Sequence, residues 1–230
     1  MFSWLEKNPF FFAVAVFVVI AYAGVVTVLP NFAESARPIE GKKPYTVLQL
    51  AGRHVYIQDS CNACHSQLIR PFKSETDRYG AYSKTGEFAY DRPFLWGSKR
   101  TGPDLARVGN ARTADWHEKH MKNPTEVVPG SIMPAYKHMF VKNADLETAF
   151  AEALTVKKAF NVPYDQADMP RVMLDESKSA QENFDLLKNE IMAEAKAVVD
   201  QMKDQDVKDA FARGEIRQIV ALIAYMNSLK

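Results

Sequence analysis

Cysteine is almost absent. Cys61 and Cys64 are the only two in 230 residues, which excludes a disulfide scaffold. They do not make a zinc site, because zinc takes four ligands. No second cysteine pair exists, and His54, His117, His120 and His138 lack a matching spacing. A thioredoxin-like redox pair needs a βαβ setting, and no stretch reads as one. A disulfide across two intervening residues closes too short a loop to stabilise much. Charge of one sign is missing too. Against 29 Lys+Arg stand 28 Asp+Glu, a formal net charge of +1. No bulk field argues for nucleic acid or another polyanion.

What the two cysteines do have is a histidine beside them. Cys61-Asn62-Ala63-Cys64-His65 is C-x-x-C-H, the attachment signature of a c-type haem. The spacing has a physical reason. One helical turn presents both sulfurs to the two vinyl groups on one porphyrin edge, and the next residue sets its imidazole under the iron. The reading assigns Cys61 and Cys64 to thioether bonds and His65 to the proximal iron position.

Upstream, Phe10 to Leu29 runs for twenty residues without a charge. At helical rise that length matches the hydrocarbon core of a bilayer. A secretory signal peptide is the rival, with small residues at Ala33-Glu34-Ser35. The run is too long for an ordinary signal core and only Lys7 precedes it, so residues 1–30 read as a retained membrane anchor. Flanking charge does not orient it, since Arg37, Lys42 and Lys43 follow the run. Haem chemistry does: bacterial c-type haem is attached outside the cytoplasmic membrane. The expectation is a single-pass protein of the inner membrane, N-terminus cytoplasmic and C-terminal domain periplasmic.

Residues 31–45 form a linker broken by Pro38, Gly41 and Pro44, and 46–230 form the main domain. Thr46 to Gln49 can make a capping box. Leu48, Ala51, Gly52, Val55 and Tyr56 then follow a helical face into the motif. Residues 66–112 are aromatic, basic and glycine-punctuated, with little periodicity, and read as a long ordered loop of functional kind. A short helix spans about 113–122. Asn143 reads as the cap of a helix to about Phe160. Ser177 to Lys208 reads as one charged helical stretch. Its Phe184, Leu187, Ile191, Ala195, Val198 and Met202 recur at threes and fours and pack on the domain itself. A last helix runs from Glu215 to Leu229.

The distal side of the iron needs a second ligand. Val128 to Pro134 is a Pro/Gly loop with Met133 at its tip. A thioether is a soft ligand for haem iron, though most methionines fill cores. Met139 and Met169 are weaker candidates, and His117 or His120 offers bis-histidine ligation instead. Loop context and distance from His65 favour Met133.

Taken together, helix, C-x-x-C-H, Gly102-Pro103-Asp104-Leu105, a Trp-bearing helix, the Met133 loop and a terminal Leu222-Ile223-Ala224-Tyr225 resemble a class I cytochrome c domain. The resemblance implies an all-α fold in which the Pro103 carbonyl accepts His65 Nδ1–H. It implies that Trp116 bonds a haem propionate, and that Gly52 and Tyr56 meet Leu222 and Tyr225. A narrower likeness lies in Cys64 to Phe72, Arg78-Tyr79-Gly80 and Pro93 to Leu105, which resemble the mono-haem subunit of cbb3-type cytochrome c oxidase, a C-family haem–copper oxidase. This likeness covers about residues 1–170 and the last helix; the charged stretch 171–212 looks like an insertion.

That resemblance implies one covalently attached haem and no catalysis by the subunit alone. It implies electrons received from a periplasmic cytochrome c donor or a di-haem cytochrome c subunit and passed to the b haem of the catalytic haem–copper oxidase subunit. A freestanding anchored cytochrome c shuttle is the alternative, but it needs no aromatic insert at 66–100. A haem enzyme such as a peroxidase needs an open distal position, which a Met133 ligand closes.

Overall fold

The computed structural model describes residues 2–29, 38–97, 99–164 and 178–230. Its helices are α1 Phe2–Lys7, α2 Pro9–Val28, α3 Val47–Gln58, α4 Cys61–Cys64, α5 Lys73–Tyr79 and α6 Val108–Ala111. They continue as α7 Ala114–Lys122, α8 Pro124–Val127, α9 Leu146–Phe160, α10 Ala180–Val199, α11 Gln205–Ala212 and α12 Gln218–Ser228. Short 3-10 turns lie at Thr85–Phe88 and Lys137–Phe140. No strand occurs among the described residues, so the fold is all-α. The chain divides into two compact units, Met1–Ala36 and Arg37–Lys230.

In the first unit Pro9 opens α2 at its first turn, where its missing N–H costs nothing. Twenty residues at about 1.5 Å each span roughly 30 Å, the thickness of a bilayer core. Mean hydropathy of the span is 2.6. Its one strongly polar side chain, Thr27, returns its hydroxyl to the Ala23 carbonyl at 2.9 Å. It is the one helix among the described residues that is long and apolar enough to cross a membrane.

In the second unit α3 and α12 cross at the centre. The Thr46 hydroxyl accepts the Gln49 N–H, and the Gln49 side chain accepts the Thr46 N–H. The predicted capping box therefore starts α3. Gly52 lies at the crossing: a β-carbon there would fall 1.9 Å from the Ala221 carbonyl oxygen and 2.9 Å from Tyr225 Cβ. Absence of a side chain is what lets the backbones approach. Tyr45 and Tyr56 each meet the Tyr225 ring edge-on at 5.6 Å. The expected Gly52 and Tyr56 contact with the last helix is present, with Ala221 and Tyr225 as the Gly52 partners. Of the expected linker, residues 38–45 are described. Tyr45 is buried, and its carbonyl accepts the Tyr164 hydroxyl. Ala33 to Ser35 lie outside the described residues.

Helix α9 packs on α3, and α10 packs on α3 and α12. Leu187, Ile191, Ala195, Val198 and Met202 are buried in the common core, the face the heptad spacing predicts. The Phe150 and Phe184 rings join α9 to α10 at 5.4 Å. The helical stretch that the sequence places at 177–208 comprises two helices, α10 and α11. Ser177 lies outside the described residues. After Val199 the chain turns, Met202 enters the core, and Asp204 accepts the Val207 N–H to start α11. The start of α9 also differs. Asp145 caps it through the Thr148 N–H, while Asn143 accepts from Arg217 at 2.6 Å. The Lys142 carbonyl accepts the Gln218 N–H, and the Ile216 carbonyl accepts the Ala144 N–H. Those pairings keep Glu215 to Arg217 out of α12.

Residues 66–112 hold more order than their weak periodicity predicts. Helix α5 buries only Glu75, so it writes no apolar stripe. Glu75 accepts from the Arg70 backbone and side chain and from Arg100. These bonds, Arg100's foremost, pull its carboxyl down to about 2. Asp104 accepts the Ser66 hydroxyl at 2.6 Å, the Leu68 N–H at 2.8 Å and the Ala106 N–H at 2.9 Å. Arg100 bridges the two carboxylates and donates to the Leu68 carbonyl. Phe88 is buried, while Phe94 and Trp96 stack at 4.6 Å and stay more than a third exposed.

Candidate haem site

Ser60 stands in the left-handed region at φ +57° and turns the chain from α3 into α4. That single turn carries both cysteines. Cys61 faces the core and Cys64 faces outward. Burial pushes the Cys61 thiol up to about 12. His65 leaves the turn in extended backbone and is half-buried.

The segment at 102–105 clamps this histidine. The Gly102 N–H donates to the Cys64 carbonyl at 2.9 Å, and the Leu105 N–H donates to the Ser66 carbonyl at 2.8 Å. His65 Nδ1 lies 2.8 Å from the Pro103 carbonyl oxygen. A carbonyl only accepts, so Nδ1 carries the proton and Nε2 keeps its lone pair. Gly102 seats the ring: a β-carbon there would fall 2.2 Å from His65 Cε1. From below, the Tyr56 hydroxyl donates to the His65 carbonyl at 3.3 Å. The Gln67 N–H donates to the Trp96 carbonyl at 2.9 Å. A histidine held by Nδ1 with Nε2 unengaged is prepared as a metal ligand.

The Met133 loop is tied at both ends. Gly130 takes φ +81°, and the Met133 N–H donates to the Ser131 hydroxyl at 3.2 Å. Beyond it, the Tyr136 N–H donates to the Met121 carbonyl at 2.8 Å. His138 Nε2 lies 2.9 Å from the Asp59 carboxylate, two residues before the first cysteine. Burial raises the Tyr136 phenol, and Cys61, Asp59 and Cys64 raise it further. The loop thus stands beside the cysteine turn. Met133 is half-buried, whereas Met139 is fully buried in the core and Met169 lies outside the described residues. Trp116, on α7, is half-buried; Arg112 lies over its ring at 4.7 Å and His120 stacks on it at 4.5 Å.

These residues fit a haem. Two free thiols occupy one turn, and an imidazole with an unengaged Nε2 follows them. On α7, both ring nitrogens of buried His117 and Nδ1 of His120 make no hydrogen bond. The structure brings His65 and Pro103 together; Met133 and Trp116 stand on other elements and make no hydrogen bond to His65. Sequence reasoning missed Gly102 as the seat of the ring and the pairing of His138 with Asp59. Adjacency to Pro103 is a signal for the first. None exists for the second, which joins residues 79 apart.

An all-helical domain built round a C-x-x-C-H turn, its histidine backed by a Gly-Pro carbonyl, is a cytochrome c domain, here with an apolar N-terminal helix that fits a membrane anchor. No curated protein matches the chain. The family described as cytochrome c oxidase, mono-heme subunit/FixO matches residues 2–230, and the chain belongs to it. It is therefore a haem-bearing electron-transfer subunit of a membrane-bound cbb3-type cytochrome c oxidase.

Proposed function

We propose that Cys61 and Cys64 hold one haem through thioether bonds, with His65 and Met133 as axial ligands. When bound, the haem supplies a one-electron Fe(III)/Fe(II) couple. The chain's own residues set its terms. The Pro103 carbonyl holds the proton on Nδ1 and raises the basicity of Nε2. Gly102 and the Tyr56 bond fix the ring and its backbone. Pinning of the Met133 loop to Asp59 and Met121 presents a soft thioether, which would ligate the iron and keep water from it. Trp116 takes the place of the indole that bonds a propionate.

The subunit makes no dioxygen chemistry itself. It takes electrons from a periplasmic cytochrome c or a di-haem subunit and hands them to the b haem of the catalytic subunit. The anchor lies in the inner membrane with the N-terminus cytoplasmic and the haem domain periplasmic. The observation that carries this reading is the His65 Nδ1 to Pro103 bond at 2.8 Å, which orients an imidazole that has no other task in the fold. Mass spectrometry of the chain from its native host tests it. One haem retained after denaturation is expected; an unmodified polypeptide would refute the reading.

A further inference from the structure

Phe94, Leu95 and Trp96 alternate. Leu95 is 5% exposed, while the rings on either side of it are 37% and 39% exposed. Alternation along extended chain puts both rings on one face. They stack at 4.6 Å, 10° from parallel, and Arg92 lies over Phe94 at 5.7 Å.

This face is held from beneath. Arg53, a buried residue of α3, donates to the carbonyls of Arg92 and Pro93. At the other end the Trp96 carbonyl accepts the Gln67 N–H. Gly97 takes φ +70°, and a β-carbon there would fall 3.2 Å from Ser66 Cα and 3.5 Å from the His65 carbonyl oxygen. The segment therefore lies directly on the C-x-x-C-H turn. Rings fixed in this way form a surface that is ordered before anything covers it, which lowers the entropic cost of association.

Charge and composition say what covers it. Arg92 to Arg100 has three cations and no carboxylate, and Asp91 at its edge is buried. Arg100 serves Glu75 and Asp104, while Arg92 and the exposed Lys99 give the face its sign. An acidic surface is the complement. Aromatic rings with arginine are the residues enriched at the centre of stable protein interfaces, where lysine is depleted. One exposed lysine is little for a diffusing donor that relies on charge steering. Electron transfer also slows steeply with distance, so a subunit that exchanges electrons with this one docks close to the cysteine turn.

Resting on the reading of function above, we infer that the Phe94–Trp96 face is the docking site of the catalytic oxidase subunit. That subunit meets it with a surface that sets carboxylates around an apolar side chain.

The test uses the whole oxidase in membranes of the native host. Trp96→benzoylphenylalanine places a photo-crosslinker on the face, and Leu186→benzoylphenylalanine places one on α10, where Leu186 is 55% exposed. Irradiation is expected to join the Trp96 variant to the catalytic subunit and to leave the Leu186 variant unjoined to it. Lys99→Glu, added to the Trp96 variant, is expected to lower the yield of that adduct. An adduct with the di-haem subunit or with lipid, or none in a haem-loaded complex, would overturn the inference. An undiminished yield with Lys99→Glu would overturn the acidic surface. Should the Trp96 variant not assemble, hydroxyl-radical labelling of the wild type decides, with the chain alone and bound to the catalytic subunit. Protection of Phe94 and Trp96, but not of Leu186, supports the site; equal labelling of both rings refutes it. Absence of haem, or of any oxidase subunit beside the wild-type chain, would instead sink the underlying reading.

Discussion

Gly52→Ala is the sharpest test of the helix crossing. Its added carbon falls 1.9 Å from the Ala221 carbonyl oxygen, where ordinary contact begins near 3.4 Å. The helices α3 and α12 must part by on the order of 1.5 Å to make room. Overpacking by one methyl costs roughly 1–3 kcal/mol. Here the clash is with main chain, which has no rotamer to escape into, so the upper end applies. Ala returns about 1 kcal/mol through helix propensity, leaving a net loss of about 2 kcal/mol. For a chain of this size each kcal/mol lowers the melting temperature by roughly 2–4 °C, so the variant melts about 4–8 °C lower. Differential scanning calorimetry of the haem-loaded chain in detergent measures this. Gly24→Ala is the control, because nothing lies within 4 Å of that position. A Gly52→Ala variant that melts with or above the wild type would refute the crossing.

Three other perturbations have definite outcomes. On the proposed ligation, Met133→Ala opens the sixth coordination position while the cysteines keep the haem. The potential falls by on the order of 100 mV, a fraction of the roughly 0.8 V that axial ligands span, and the iron–thioether charge-transfer band disappears; survival of that band in Met133→Ala, with loss in Met139→Ala or Met169→Ala, would show the ligand assignment to be wrong. Glu75 is depressed from 4.5 to about 2 chiefly by Arg100, so its contribution to stability is complete above pH 4.5 and is lost as pH falls toward 2. Glu75→Gln therefore lowers the melting temperature at neutral pH and flattens its acid dependence below pH 4.5; a parallel acid limb in the variant counts against the Arg100 network. Replacing Phe10–Leu29 by leucines removes Ala13, Ala15, Ala21, Ala23 and Gly24, small residues that permit close helix approach in lipid; membrane insertion persists and oxidase assembly, read by co-purification, falls, whereas a normal yield leaves the helix a plain anchor.

How much was legible divides along sequence distance. The capping box at Thr46, the α10 face from Leu187 to Val198 and the apolar run of α2 are local patterns, and the structure repeats them. The Pro103 support of His65 was legible only through family likeness, since nothing in composition or periodicity joins residues 38 apart. Ends of helices were missed where two good caps compete. Asn143 and Asp145 both suit an N-cap, and the pairing of Asn143 with Arg217 decides between them. Helix α5 was missed because its one buried side chain is a carboxylate held by two arginines. His117 was legible only as an alternative iron ligand; its burial with both ring nitrogens unpaired was not.

The segment from Gly102 to Asp104 has a mechanical consequence. Pro103 holds the His65 imidazole, and its neighbour Asp104 holds Ser66, Leu68 and, through Arg100, the aromatic insert. Trp96 itself, exposed on that insert, is bonded through its carbonyl to Gln67, two residues past His65. A load on the Phe94 and Trp96 surface therefore reaches the imidazole through a handful of stiff bonds. On the proposed ligation, a contact there that displaces the Pro103 carbonyl alters the pull of His65 on the iron. Thermodynamic linkage makes the effect reciprocal: if docking shifts the potential, then each electron gained or lost shifts the grip of the docked surface by the same free energy.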